Sequence, residues 1–569
     1  MDYQRSPVFI LPLICLVIFI SSCNDNARVN QSHAVTDPEE MNKVAAQSIK
    51  SSLDIALQQN GKLDDSLKLI MLKEVNQFYT EREYQPVWSR KEKWNFLADS
   101  LFNYIKDAES EGLFPKDYKE KNLHALKLQL DSDSLKRMDA SLWGRAELML
   151  TDGYMHIIHD LKQGRLQPDS VSLGKDTTLT ENFYIANLKQ LLEKKDFSGL
   201  LRSVQPVYPG YWELKKGIRS FVDSMDHHIY TYVTYPYKKN DKQDSLFFVK
   251  TIQRRLRENN CIDFASPLPD SLMLANSVKK YQKLKGLKGD GKLSTSLIRI
   301  MNTSDVERYK RIAITLDRYK MQLPARMPEK FIFVNLPGFY LQLWEHDSIV
   351  FESRIICGKP DTRTPLLNSA ISEMITYPTW TVPTSIIVKQ YLPKLKNNPN
   401  YLSRIGLHLY NGKGQPIDPG SVNWSKYSRG IPYKIMQGSG DNNALGVFKF
   451  NFNNKYAVYL HDTNQRYLFK NGSRAYSHGC VRVQDWQKLA NYIARNDSIN
   501  QKPGDPPRYN ADSISQWITQ KKYRRIEIKN PIPLYIQYFS CEGKNGHIRF
   551  FDDLYGDDKI LREKYFTER

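Results

Sequence analysis

Hydrophobic positions in the first half of the chain recur every three to four residues, and in the last third they alternate. The pattern therefore predicts helices first and strands later. From about residue 48 to 237 the period is helical: Leu150, Tyr154, Ile157, Ile158 and Leu161 share one face, and Gly164 then Pro168 end that helix. Residues 245–302 read as three short helices, marked by Val249, Ile252 and Leu256, by Val278, Tyr281 and Leu284, and by Leu297, Ile298 and Met301 with Ser294 as cap. The run Gly286-Leu287-Lys288-Gly289-Asp290-Gly291 makes a turn before the third. Ser304 and Glu307 have capping-box spacing and open a helix with Tyr309, Ile312, Leu316 and Tyr319 inward.

Beyond it, β-branched and aromatic runs predict strands at 331–334, 339–344, 349–356, 371–377, 447–452 and 456–460, the last ending at His461. A late hairpin is expected to pair 534–539 with 547–551 through Asn545-Gly546. Asp485 is the expected cap of a helix carrying Trp486, Leu489, Ala490, Ile493 and Ala494. Residues 382–437 break the rhythm with a helix at 385–395 and then a loop rich in Pro, Asn and Gly, as a lid beside a site does.

The first residues set the compartment. Arg5 precedes an apolar run over 8–20, which has the length of a signal-peptide core and is short for a spanning helix. It ends in Ile20-Ser21-Ser22-Cys23, which resembles a bacterial lipobox with Cys23 as the lipidated mature N-terminus. A polar tether over 23–45 follows. The expected location is the periplasm, lipid-anchored to the inner or outer membrane. A net charge of +20 over 569 residues favours anionic partners such as a membrane surface or an acidic wall polymer. No basic helix with interleaved aromatics is seen, so nucleic acid is not an expected partner.

Six cysteines show no disulfide framework and no CxxC pair: besides Cys15, Cys23 and Cys480, they are Cys261, Cys357 and Cys541. His156 and His159 beside Asp160, and His227-His228, have no further ligand cluster, so no metal and no cofactor are expected.

The chemistry concentrates in Ser477-His478-Gly479-Cys480-Val481-Arg482, with His461 nineteen residues before the cysteine. A thiol attacks as thiolate and wants a base or a positive charge nearby. His461 and His478 offer the base and Arg482 the charge, while Gly479 leaves room for backbone N–H groups to face an oxyanion. The string resembles the L,D-transpeptidase signature: a His, a spacer of about fifteen residues, then Ser/Thr-His-Gly-Cys, a hydrophobic residue and Asn or Arg. Phrases at 78–88, 108–118, 159–169 and 208–218 resemble the helical scaffold domain of large members of that family, and 278–302 its three-helix peptidoglycan-binding module. Segments 376–386 and 442–450 resemble the borders of its lid.

The resemblance implies a multi-domain α+β protein: helical scaffold 46–240, peptidoglycan-binding-like module 245–302, linking helix 303–327, and a mostly-β, sandwich-like catalytic domain of the YkuD type at 328–569 with a lid insertion at 382–437. It implies Cys480 as nucleophile and His461 as general base, with Ser477 and His478 in support and Arg482 holding a carboxylate or ordering the turn. The backbone carbonyl of Asp462 is expected to orient His461. Substrate contacts are expected from Tyr377, Trp380, Asp462, Thr463, Arg474 and Tyr476, and Trp424 is a further aromatic that can pack on substrate. The implied partners are peptidoglycan stem peptides, with carbapenems as covalent inhibitors. The implied reaction joins the third residues of two stems through a cysteinyl thioester. Water as acceptor gives an L,D-carboxypeptidase, a protein lysine gives an anchoring enzyme, and a non-catalytic wall-binding protein is the alternative of another class.

Overall fold

The computed structural model describes residues 34–65, 67–168, 179–234, 242–262, 271–285, 287–324, 326–499 and 509–566. The expected signal sequence, Cys23 and the first part of the tether lie outside them. Among the described residues no helix is long and apolar enough to cross a membrane. The chain forms two compact units, residues 1–102 with 121–155 and residues 103–120 with 156–569. The division falls inside the expected scaffold, within the helix Ala140–Lys162.

The first unit is helical, and a buried carboxylate organises it. Glu147, fully buried in the helix Ala140–Lys162, accepts the backbone N–H groups of Val87 (2.7 Å), Trp88 (3.0 Å) and Ser89 (2.8 Å) and the hydroxyls of Ser89 (2.8 Å) and Tyr79 (3.0 Å). Burial pushes its carboxyl up, and these donors pull the other way. They anchor the loop after the helix Leu72–Thr80, where Trp88 is fully buried. Glu147→Ala is expected to destabilise this unit by about 3 kcal/mol or more, since three buried N–H groups lose their acceptor. Urea unfolding measures it, and a loss under 1 kcal/mol would mean that water replaces the carboxylate.

In the second unit Tyr154's successors Ile157, Ile158 and Leu161 are fully buried, as the helical period predicts. The helix ends where Gly164 turns left-handed at φ +83°, against the carboxylate of Asp317, which accepts the N–H of Arg165 at 2.7 Å. His156 and His159 both lean on Asp160, at 3.7 and 3.3 Å, and Asp160 also accepts the Tyr118 hydroxyl at 2.7 Å, a structural polar cluster. Among the described residues no group of three or more His, Cys, Asp or Glu is placed to hold a metal ion.

Helices Lys242–Arg257, Ser271–Leu284 and Thr295–Met301 enclose a core of Phe248, Ile252, Leu256, Val278, Tyr281 and Ile298. Phe248 takes the buried place expected of Val249, and Leu284 is exposed. Ser294 caps the third helix by accepting the N–H of Leu297 at 3.1 Å. Only half of the expected capping box forms at the helix Asp305–Gln322: Ser304 accepts the N–H of Glu307 at 3.1 Å, but the Glu307 carboxylate turns to Lys310 and Arg562.

The C-terminal domain is built on nine strands: β1 Lys330–Asn335, β2 Tyr340–Glu345, β3 Ser348–Gly358, β4 Leu367–Thr376, β5 Phe448–Phe452, β6 Leu460–His461, β7 Ala475–Ser477, β8 Val481–Val483 and β9 Arg524–Gln537. Eight close into a ring in the order β3-β8-β6-β5-β4-β9-β1-β2, because β2 pairs with β3, and β7 adds to the other edge of β3. The ring is filled by alternate residues, among them Ile332, Val334, Phe448, Phe450, Leu460, Val481 and Val483. The helix Trp486–Ile499 closes one end, with Trp486 stacked on Phe448 at 5.0 Å. The other face of β1 is apolar too: Phe331 and Phe333 pack with Tyr211, Ile312 and Leu316. Asp485 bonds Ser353 instead of serving as a side-chain cap.

Two strand expectations change. Of 456–460 only the end is strand, because Asn454 Oδ1 accepts the N–H groups of Tyr456 and Val458 (3.0 and 3.1 Å) and Ala457 sits at φ +52°. Residues 534–537 belong to β9, held between β4 and β1, so the late hairpin is instead Cys541–Lys544 with His547–Phe550. Its turn is Asn545-Gly546, both left-handed (φ +52° and +77°), as a two-residue hairpin turn requires.

The insertion at 382–437 is more than loop. Short strands Trp380–Thr381, His408–Tyr410, Pro416–Ile417 and Lys434–Gln437 form a sheet of their own. Its core holds Val382, Leu395, Leu402, Leu409, Trp424 and Ile435. The expected helix at 385–395 opens into a π turn over Ile387–Tyr391, next to Pro393, which has no N–H to continue the regular ladder.

Candidate active site

Parallel pairing of β6 with β8 sets Leu460 beside Val481 and His461 beside Arg482, with the Val481 N–H bonded to the Tyr459 carbonyl at 3.1 Å. Side chains alternate across a sheet, so once Leu460, Val481 and Val483 enter the core, Tyr459, His461, Cys480 and Arg482 share the opposite face. Antiparallel β5 adds Lys449 to that face, directly across from His461. The contacts agree. Lys449 Nζ stands 3.9 Å from the centre of the Tyr459 ring, and the Tyr459 and His461 rings meet edge-on at 5.6 Å.

Cys480 is a free, half-buried thiol. Burial raises its pKa, and hydrogen bonds from the backbone and hydroxyl of Tyr459, with the nearby charges of Lys449 and Arg482, oppose that rise. Tyr459 is half-buried, and desolvation and the charge of Cys480 raise its pKa, so it is held neutral; it bonds both the thiol and the Trp380 indole. That last contact brings Trp380, at the edge of the insertion, near the Cys480 thiol.

His461 is 4% exposed, and its pKa is pushed down to about 3 by burial and by Arg482, with Lys449 adding to the effect. Carbonyls of Asp462 and Leu445 face the ring and favour its protonated form, yet Nδ1 is buried without a partner in good geometry. The imidazole is therefore neutral at pH 7, ready to accept a proton. The unfolded chain protonates this residue below about pH 6.5 and the folded chain does not. Stability is thus complete above that pH and declines as pH falls towards 3. We expect the stability difference between the wild type and His461→Gln to shrink by about 2 kcal/mol between pH 7 and 4.5, read by urea unfolding. A pH-independent difference would mean that His461 is protonated in the folded state.

The turn before the nucleophile is held by Ser477, whose hydroxyl donates to the Cys480 carbonyl (2.5 Å) and accepts the Gly479 N–H (3.1 Å). Gly479 lies at φ +122°, a backbone conformation that a side chain resists. Its N–H, expected to face an oxyanion, is thus already engaged. His478 is exposed and meets Gln390 of the insertion; partial desolvation of the ring and the charges of Lys359 and Arg482 lower its pKa. Arg482 donates to Thr463 Oγ1 (3.3 Å) and Gln465 Oε1 (3.0 Å), which ties the strand after the nucleophile to the loop after His461.

The expected substrate contacts divide. Trp380 reaches the site. Asp462 and Thr463 are fully buried: the Asp462 carboxylate takes Arg466 and the Val447 N–H, and Thr463 Oγ1 takes Arg482 and the Gln465 N–H, so these side chains brace the loop. Gly446 is required beside Asp462, since a Cβ there would lie 2.3 Å from the carboxylate. Arg474 spends its guanidinium on the carbonyls of Ile355, Asn471 and Phe339. Tyr377 is buried with its hydroxyl on Asp441 at 2.8 Å, and Tyr476 accepts from Asn471 at 2.9 Å. Trp424 lies in the core of the insertion with its N–H on the Pro419 carbonyl. Tyr459, Lys449 and Gln390 were not foreseen. Tyr459 had a signal in its two-residue spacing from His461; the other two depend on which strands and segments become neighbours.

A thiol with a neutral imidazole on one sheet face, flanked by two cations and overlaid by an insertion, is the layout of a cysteine acyl-transfer site. Two family models match this chain: the L,D-transpeptidase catalytic domain over residues 329–506 and a scaffold domain over residues 73–218. Residues 329–506 thus carry an L,D-transpeptidase catalytic domain. A curated Haemophilus influenzae protein, named as a candidate L,D-transpeptidase, is 34% identical over 230 residues, which are 40% of this chain and 45% of that protein. The match thus spans under half of the relative's length. Among solved structures, the catalytic domain of an E. faecium L,D-transpeptidase acylated by ertapenem shares 13% identity, covering 37% of this chain and 99% of that one at a TM-score of 0.17. An L,D-transpeptidase from Stackebrandtia nassauensis shares 13% identity over 55% of this chain and 97% of that one, at a TM-score of 0.16. These are distant likenesses.

Proposed function

We propose that this protein is a peptidoglycan L,D-transpeptidase that joins the third residues of two stem peptides through a thioester on Cys480. The observation that carries the reading is the sheet face shared by Cys480, neutral His461 and the cations Lys449 and Arg482, in a chain with this catalytic domain. Cys480 Sγ attacks the carbonyl carbon of the third residue of a donor tetrapeptide while His461 takes the thiol proton. The C–N bond breaks, and D-alanine leaves with that proton. The side-chain amine of a neighbouring stem's diamino acid then attacks the thioester, the S–C bond breaks, an amide forms, and the proton returns through His461 to the sulfur. With the Gly479 N–H engaged, the Cys480 N–H and the Tyr459 hydroxyl are the donors nearest the oxyanion.

The body works outside the inner membrane, held by lipid on Cys23 through its polar tether, and carbapenems acylate Cys480. The test is product analysis of the full chain with a purified disaccharide-tetrapeptide. Released D-alanine with a cross-linked dimer supports the reading. Tripeptide without dimer makes the protein a carboxypeptidase, and no D-alanine at all overturns an acyl-transfer role.

A further inference from the structure

A half-buried thiol and a buried, neutral imidazole on one sheet face pose a charge problem. Ionising Cys480 by passing its proton to His461 creates an imidazolium that burial, Arg482 and Lys449 all oppose. A standing thiolate–imidazolium pair is therefore disfavoured, and a cation on the sulfur's face would offset the thiolate charge.

Arg482 is one, but its guanidinium is already tied to Thr463 and Gln465. Lys449 differs. Its strand places it across from His461, its side chain is half-buried, and its ammonium rests on the Tyr459 ring at 3.9 Å, with no hydrogen bond or ion pair of its own among the described residues. The nearest carboxylate on its flank, Glu373 of β4, is held by Arg525 and by Asn451. The groups facing Lys449 are then Glu373 on one side and Tyr459, His461, Cys480 and Arg482 on the other.

We propose that Lys449 is the positioning cation that makes the Cys480 thiolate available: its ammonium, uncommitted to any anion, shares the sheet face of the sulfur, and the Tyr459 ring beneath it carries the hydroxyl that bonds the thiol. This rests on the reading of Cys480 as the nucleophile. Lys449 forms no bond to substrate. It offsets the negative charge that appears on sulfur when the thiol proton leaves, and again when the thioester breaks and thiolate departs. Burial lowers the pKa of Lys449, as it does for an ammonium denied water, and the charge of Cys480 raises it again. The two groups thus favour each other's charged forms. Tyr459 transmits part of the effect: a neutral phenol under a cation is a stronger donor to thiolate than to thiol.

The test is the pH dependence of Cys480 alkylation by iodoacetamide in the full chain, followed at the Cys480 peptide by mass spectrometry, for wild type, Lys449→Met and Lys449→Arg. Lys449→Met is expected to raise the apparent thiol pKa by about one unit and slow alkylation about tenfold at neutral pH. Lys449→Arg, which keeps the charge, is expected to restore most of the rate. Thermal unfolding of each variant separates a folding defect from a charge effect. An unchanged alkylation profile in folded Lys449→Met overturns the proposal, and so does an equal loss in Lys449→Arg. Because alkylation needs no peptide substrate, this outcome is independent of stem-peptide turnover: a wild type that alkylates as expected but releases no D-alanine defeats the transpeptidase reading and leaves the role of Lys449 standing.

Discussion

Cys480→Ala is expected to abolish acylation by a carbapenem and to lower stem-peptide turnover by about 10⁴-fold or more, while the protein folds as before. The side chain is half-buried and bonded to Tyr459, so losing one sulfur disturbs little packing. No other described thiol can substitute. Cys357 and Cys541 are fully buried and burial pushes each up to about 12, so neither supplies thiolate near neutral pH. Cys261 is buried in the three-helix module, with its pKa raised as well. Intact-protein mass spectrometry reads the result: one adduct per chain in the parent and none in the variant. An adduct that persists in Cys480→Ala would move the nucleophile elsewhere and take the acyl-transfer reading with it.

His461→Ala is expected to slow acylation by about 10²–10⁴-fold, the usual contribution of a positioned base, with the thiol still present and alkylatable. His478→Ala is the control. That ring is exposed and bonds Gln390 of the insertion, so its loss should weaken substrate retention more than the chemical step, raising KM by several-fold at most. Single-turnover acylation separates the two. Equal losses in both variants would return the choice of base to the pair, and a larger loss in His478→Ala would reassign it.

Much of the architecture was legible because periodicity reports which face is buried. The helical face from Leu150 to Leu161 and the alternation of Phe448, Phe450 and Phe452 meet the core as their spacing requires. Misreadings occurred where a local interaction overrode the pattern. An Asn454 side chain turned a β-rich run into a loop, and long-range pairing drew 534–537 into β9 and away from its sequence neighbours. The insertion looked like loop because its apolar residues are spread thinly over fifty positions, and only their convergence makes a core.

The same division holds at the site. The string from Ser477 to Arg482, with His461 before it, was readable from sequence because residue type and spacing alone carry thiol chemistry and the tight glycine turn. Which polar side chains face a ligand was not readable. Asp462, Thr463 and Arg474 look available as residue types, yet each is consumed by neighbours that are distant along the chain or lie across a turn. Lys449 is unremarkable between two phenylalanines until β5 is laid beside β6. Sequence by itself picked out the candidate nucleophile, its candidate bases and the order of helical and β regions, since these depend on local chemistry and period. Tertiary structure alone decided that His461 is neutral, that Asp462 is a brace and that Lys449 shares the sheet face of Cys480. Burial and cross-strand register set those properties, and both depend on residues that the chain brings together from far apart.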